Sequence, residues 1–267
     1  SWTTYSTAPR DIYFMRHDTA PTLGLAANSW TFGPFVGNNN TRVHVKASAK
    51  GTYLDTANGS LSPSNWSHMT FIAYAEGSTT LSGSWTAKEL TDMVITSTDL
   101  TRIDMTAINE GVIPSGVTLT GAINPNLLVY VGENDDITIE GNGNLIKGGK
   151  IASLTLTDKQ PFNASSPFTV TGTVNYERQT NKPEEGKDFV LETICLPFNA
   201  TVPPGCIVKA VTSISANEIS LGGNVATMTA NKPYVLWSSD EATVEFEAEN
   251  QEINSEMADT QGTYTYK

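Results

Sequence analysis

Two cysteines, three histidines and a handful of acid clusters are the residues that could do chemistry in this chain. Cys195 and Cys206 flank Leu-Pro-Phe-Asn-Ala-Thr-Val-Pro-Pro-Gly, a turn-rich stretch able to fold back and bring the sulfurs together. A disulfide closing that loop would contribute about 3 kcal/mol through chain entropy. The other reading is two buried free thiols in neighbouring strands, acting as small hydrophobes. Neither cysteine has a histidine nearby, so the pair makes no zinc site and no Cys–His nucleophile. A Gly-x-Ser-x-Gly elbow is missing too. His17, His44 and His68 all precede residue 96, and only tertiary folding could gather them at a metal. His17-Asp18 has the composition of a dyad, but neighbours on a strand point to opposite faces.

Paired carboxylates are the signature of glycoside hydrolysis. Glu133-Asn-Asp-Asp136 offers several acids in a turn, and clustered oxygens there would also suit calcium, although the spacing of an EF-hand loop is missing. Glu245, Glu247 and Glu249 share one strand face and read as a solvated row that blocks further pairing. Gly141-Asn-Gly-Asn-Leu-Ile-Lys-Gly-Gly149 opens no helix and so cradles no phosphate. No catalytic residue, metal or cofactor is expected.

Aromatics carry the stronger signal. Sugars present flat C–H faces and hydroxyls, which proteins hold by stacking on rings and bonding through Asn, Asp and Thr. Trp30-Thr-Phe-Gly-Pro-Phe35 is followed by Asn38-Asn-Asn40, and Ser64-Asn-Trp-Ser-His68 repeats the mixture. The candidate ligand-binding set is therefore Trp30, Phe35, Asn38, Asn40, Trp66 and Trp85. Against it stands the reading of each Trp as core in a chain short of Leu and Ile.

The elements that must position these residues are strands. Thr41-Arg-Val-His-Val-Lys-Ala47, Asp136-Ile-Thr-Ile-Glu140, Ser153-Leu-Thr-Leu-Thr157 and Ala242-Thr-Val-Glu-Phe-Glu-Ala248 alternate with period two. Turn pairs such as Asn58-Gly59 and Gly148-Gly149 separate the runs. One helix is expected, at Thr86–Met93, opening with Thr86 and Glu89 in the spacing of a capping box. The chain reads as all-β, and Thr-rich strands with Gly/Asn turns suit antiparallel sandwiches. Three zones are expected: a sandwich-like domain over 1–95, a connecting β segment over 96–150, and a second sandwich over 151–267. In the middle zone short apolar runs could stack as one or two solenoid coils, at intervals too uneven to name a repeat; ordinary meander strands fit equally.

Composition narrows the partners. The 267 residues hold 28 acidic and 16 basic side chains, a net charge of -12, and only 16% of residues are charged. Ser and Thr make up about 22% of the chain and Asn roughly another 8%, so hydroxyls and amides replace charge on the surface. Such a chain lacks the basic patch that nucleic acid or anionic lipid requires. No apolar run is long enough to span a bilayer as a helix. Ser1 is not an initiator Met, and Thr263-Tyr-Thr-Tyr-Lys267 alternates without a closing turn, so a longer natural polypeptide is expected.

From residue 100 onward an ordered series of short segments stands out. They are Leu100-Thr-Arg-Ile-Asp-Met-Thr106, Asn124-Pro-Asn-Leu-Leu-Val-Tyr-Val131, Leu154-Thr-Leu-Thr-Asp158, Pro161-Phe-Asn163, Pro167-Phe-Thr169, Val174-Asn-Tyr-Glu-Arg178, Glu192-Thr-Ile-Cys-Leu-Pro-Phe198 and Ala230-Asn-Lys-Pro-Tyr-Val235. Their order resembles the C-terminal β-rich module of Bacteroidetes surface proteins, including leucine-rich-repeat, adhesin-like ones. Asp18-Thr-Ala20 and Asp55-Thr-Ala57 each resemble an O-glycosylation signal of exported proteins in that phylum. The resemblance implies an extracellular or surface-attached protein with no catalytic residues. The expected function is non-catalytic adhesion or glycan recognition, with a glycan or surface protein as partner. Two rivals stand beside it: a structural spacer or pilus-like subunit, in which the strand at 264–266 pairs with another molecule, and a carbohydrate-active enzyme, which needs two carboxylates facing one cleft.

Overall fold

The structure is a computed structural model and describes residues 10–19, 41–53, 70–164, 166–215, 218–254, 260–261 and 264–265. It is mostly strand, and the all-β class holds. The chain divides into two compact units, Ser1–Gly148 and Gly149–Lys267.

The first unit contains β1 (Arg10–Tyr13), β2 (Thr41–Lys46), β3 (Thr70–Tyr74), β4 (Ser78–Thr80), β5 (Arg102–Asp104), β6 (Val117–Thr120), β7 (Leu128–Val131), β8 (Ile137–Glu140) and β9 (Asn144–Lys147). Alternation with tight turns pointed to antiparallel pairing, but every described ladder here is parallel. β1, β2 and β3 form one stack. β4, β5, β7 and β9 form another, and β6 pairs with β8. The chain coils, returning to the second stack with Thr79, Ile103, Val129 and Leu145 in successive register positions. Inward residues of the stacks then build one apolar core that includes Val43, Phe71, Ile103, Val129 and Val131.

Asparagine holds the coils together. Asn109 accepts from the backbone N–H of Trp85 (2.7 Å) and donates to its carbonyl (2.9 Å). Buried Asn124 donates to the carbonyl of Leu100 at 3.0 Å, and Asn144 to those of Pro125 and Leu127. Each amide satisfies backbone groups of the preceding coil, which a parallel coil leaves open wherever strands give way to turns.

α1 (Ala47–Lys50) and α2 (Ala87–Thr91) are single turns. At α2 the capping box is complete: Thr86 Oγ1 accepts from the Glu89 N–H, and Glu89 accepts from the Thr86 N–H. The acidic turn at 133–136 serves the fold as well. Asp135 takes backbone N–H bonds from Gly132 (2.6 Å) and Ile113 (3.2 Å).

The second unit contains β10 (Lys150–Ile151), β11 (Leu154–Thr157), β12 (Phe168–Gln179), β13 (Val190–Ile194), β14 (Ala200–Thr201), β15 (Ile207–Ile214), β16 (Ile219–Asn224), β17 (Thr227–Met228), β18 (Tyr234–Ser238), β19 (Thr243–Ile253), β20 (Thr260–Gln261) and β21 (Tyr264–Thr265). β12 pairs in parallel with β10 and then β11, and antiparallel with β19. A separate antiparallel sheet runs β13–β18–β15–β16. β14 pairs with β17 and β20 with β21, so Tyr264–Thr265 finds a partner within the chain. Phe168, Val174, Phe198, Val208, Leu236 and Phe246 are among the buried residues.

Candidate binding face

The four-stranded sheet of the second unit has one buried and one open face, and register assigns them. Glu192 opposite Leu236, and Val208 opposite the same Leu236, point inward and are buried. One residue along, Leu191, Trp237 and Ile207 lie side by side on the other face. Phe189 stacks on the Trp237 indole with ring centres 3.7 Å apart, and Lys209 Nζ lies 5.5 Å from the same ring. Phe189, Leu191 and Ile207 are 38, 48 and 38% exposed. Contiguous apolar exposure of this kind marks an interaction site more often than scattered single residues do.

At the Ile194–Tyr234 end of the sheet a cleft of about 900 Å³ opens. Its walls are largely apolar, including Phe162, Val211, Ile214 and Ile219. Four carboxamides join them: Gln160, Asn163, Asn231 and Asn254. The side chains of Asn163, Asn231 and Asn254 hydrogen-bond no described residue, so their donors and acceptors face solvent or a ligand. Asn231 is held in the left-handed region (φ 60°), which Asn tolerates, and its backbone N–H donates to the Leu196 carbonyl at 2.7 Å. Tyr234 accepts the Thr229 N–H at 2.9 Å, which fixes the ring at the cleft's edge.

Three segments of the resemblance series converge here. Pro161–Asn163 supplies Phe162 and Asn163, Glu192–Phe198 supplies Thr193, Cys195 and Pro197, and Ala230–Val235 supplies Asn231 and Tyr234. Apolar and carboxamide side chains thus meet in the second unit, at residues other than the expected set.

The sequence-derived candidates fare unevenly. Trp30, Phe35, Asn38, Asn40 and Trp66 lie outside the described residues. Trp85 is 3% exposed, donates its indole N–H to the Ser82 carbonyl at 2.9 Å, and receives the Lys50 ammonium 4.5 Å from its ring centre. It is a core residue and offers no face to a ligand. Cys195 and Cys206 are free thiols, so of the two readings of this pair the disulfide is the one not formed. β13 and β15 both pair with β18, on opposite sides, so a strand intervenes between them. Cys195 follows Ile194, opposite Tyr234, whereas Cys206 precedes Ile207, opposite Trp237. Two strand spacings across and several residues along exceed the Cα separation of roughly 7 Å that a disulfide can span. Cys195 lines the cleft, and its surroundings raise the thiol above its ordinary range by desolvation, so it stays a neutral thiol.

His44 finds a partner that the sequence did not suggest. Its Nε2 lies 2.8 Å from Asp11 Oδ1, its Nδ1 lies 2.9 Å from the Tyr74 hydroxyl, and Tyr13 stacks on the ring at 4.1 Å. Arg42 donates to the other Asp11 oxygen at 2.8 Å. Hydrogen bonds from Arg42 and then His44 hold the Asp11 carboxyl below its usual range. Asp11, His44 and Tyr74 come from three adjacent parallel strands, so the network ties the stack together. His17 is exposed, Asp18 pairs with Lys46 rather than with His17, and His68 lies outside the described residues.

Several carboxylates likewise serve the fold. Glu192 accepts from Arg178 and Asn181 on the buried face, and Asp158 accepts the Tyr176 hydroxyl. Glu245 accepts from Asn175 across the β12–β19 ladder. None of the cleft's lining residues is a carboxylate. Among the described residues no group of three or more His, Cys, Asp or Glu could hold a metal, and no helix is long and apolar enough to cross a membrane. Compared with family models, curated proteins and solved structures, the chain has no significant match.

Proposed function

We propose that the protein is a non-catalytic, exported surface module that recognises glycans through the cleft of its second unit. The observation that carries this reading is the cleft's chemistry: apolar walls beside the carboxamides of Asn163, Asn231 and Asn254, which bond no described residue. Apolar walls match the C–H faces of sugars, and amides match hydroxyls because each carries both donors and acceptors. The sequence order that resembles surface adhesin modules supports the same reading, as does a surface built from hydroxyls and amides.

Calorimetric titration of the full chain against a panel of soluble glycans tests it. Heats that saturate with the wild type, and a loss of about tenfold in affinity when Asn163→Ala and Asn254→Ala are combined, are expected from two lost hydrogen bonds worth about 0.5–1.5 kcal/mol each. Binding untouched by those changes places recognition elsewhere, and an absence of binding across the panel rejects glycans as the ligand.

A further inference from the structure

The cleft carries no charge. All sixteen of its described lining residues are uncharged, in a chain whose net charge is -12. A ligand bearing carboxylate, sulfate or phosphate would be stripped of water there with no cation to receive it, and an ammonium group would meet no anion. The polar inventory is instead carboxamides, with a threonine hydroxyl at Thr193 and a tyrosine at Tyr234. These groups pair with hydroxyls at no electrostatic cost.

The face also extends beyond the cleft. Thr193 and Val235, which line the cleft, share the face of Leu191 and Trp237, and from Val235 to Trp237 the strand rises by about 7 Å at ~3.4 Å per residue. Along that path the surface passes from the amide-lined cleft to the Phe189–Trp237 aromatic pair. A single sugar ring at the carboxamides does not also reach the aromatics, whereas a chain of sugars reaches both. An extended peptide adding to the neighbouring strand edge is disfavoured at β13, because the Thr193 carbonyl already accepts from Arg178 at 2.6 Å.

We infer that the ligand is a neutral oligosaccharide, with one unit held by the carboxamides of the cleft and a later unit packed on Phe189 beside Trp237. This rests on the glycan reading above and specifies the class of glycan and the polarity of its seat.

The test uses the full chain and paired glycans that share a backbone but differ in charge, neutral against sialylated or uronic-acid-bearing. The neutral member is expected to bind at least tenfold more tightly, with an affinity that changes less than twofold between low and moderate salt. Phe189→Ala is expected to weaken a neutral oligosaccharide about tenfold while leaving the matching monosaccharide unchanged; circular dichroism and the thermal midpoint verify that the variant is folded. Preference for the charged member, with strong salt dependence, overturns the inference while leaving glycan recognition standing. Equal weakening of mono- and oligosaccharide by Phe189→Ala overturns the extended placement. Binding of extended peptides and of no glycan overturns both readings.

Discussion

Lys50 shows how a single residue can be both costly and necessary. Its side chain is fully buried, with Nζ donating to the Ser84 carbonyl at 2.5 Å and to Glu89 Oε2 at 2.9 Å, over the Trp85 ring. Desolvation pulls its pKa down and the Glu89 carboxylate pulls it back up, with desolvation the larger effect. A buried ion pair is expensive to assemble, but removing one member leaves a cavity and an uncompensated partner. Lys50→Ala is therefore expected to destabilise the first unit by about 3 kcal/mol in denaturant unfolding. The double variant Lys50→Met/Glu89→Gln keeps the volume and removes both charges, and should lie within about 1 kcal/mol of wild type. If both variants cost the same, the charge pair is not what the site depends on. Glu89 was legible in the sequence as a capping residue; its second partner was not, because Lys50 lies 39 positions away on another coil.

At the level of elements, β12 depends on a glycine inside a strand. Between Val170 and Thr173 its pairing slips by one residue against β19. On its other side β12 changes partner there, from β10 to β11. Gly172 lies in that bulge, and a Cβ added to it would stand 2.6 Å from the Ala152 carbonyl oxygen. Backbone cannot retreat as a flexible side chain can, so Gly172→Ala must break the bulge or part β12 from its neighbour. The expected cost is about 1–3 kcal/mol by overpacking, with faster amide hydrogen exchange confined to β10–β12 and β19. Uniform exchange across the second unit would refute the local account. This level also explains what the sequence concealed. Period-two alternation gives the same pattern in parallel and antiparallel strands, so the all-β class was legible but the pairing was not. Asn109, Asn124 and Asn144 bond the coil before them, a partnership visible only once the coils stack. The cleft is assembled from residues near 160, 195, 231 and 254, so no window of sequence contains it. Its segments could be quoted from the resemblance, but their meeting point could not.

For the whole molecule, proton linkage at high pH follows from what the folded state buries. Burial raises the phenols of Tyr53 and Tyr176 well above their ordinary range, with an Asp158 hydrogen bond adding to the effect at Tyr176. Cys195 and Cys206 are raised by desolvation as well. Above the unfolded phenol value of 10.0 the folded chain holds protons that the unfolded chain has released, so stability falls as pH rises. Lys50 acts in the opposite sense: its lowered value makes stability rise with pH only until its unfolded counterpart, at 10.5, is also deprotonated. Beyond that point nothing offsets the phenols, and buried Tyr53 alone contributes a slope of up to about 1.4 kcal/mol per pH unit. Self-repulsion in a chain already at -12 acts in the same direction, most directly where Glu177 faces Glu245 across the β12–β19 ladder. The thermal midpoint is therefore expected to fall steeply between about pH 10.5 and pH 12. Added salt should recover only the part due to repulsion, because screening reaches exposed carboxylates but not buried phenols. Tyr53→Phe and Tyr176→Phe separate the two causes, since each should flatten the alkaline fall while leaving the salt response unchanged. A fall that salt abolishes and neither variant flattens would mean that net charge, not burial, sets the alkaline limit of this fold.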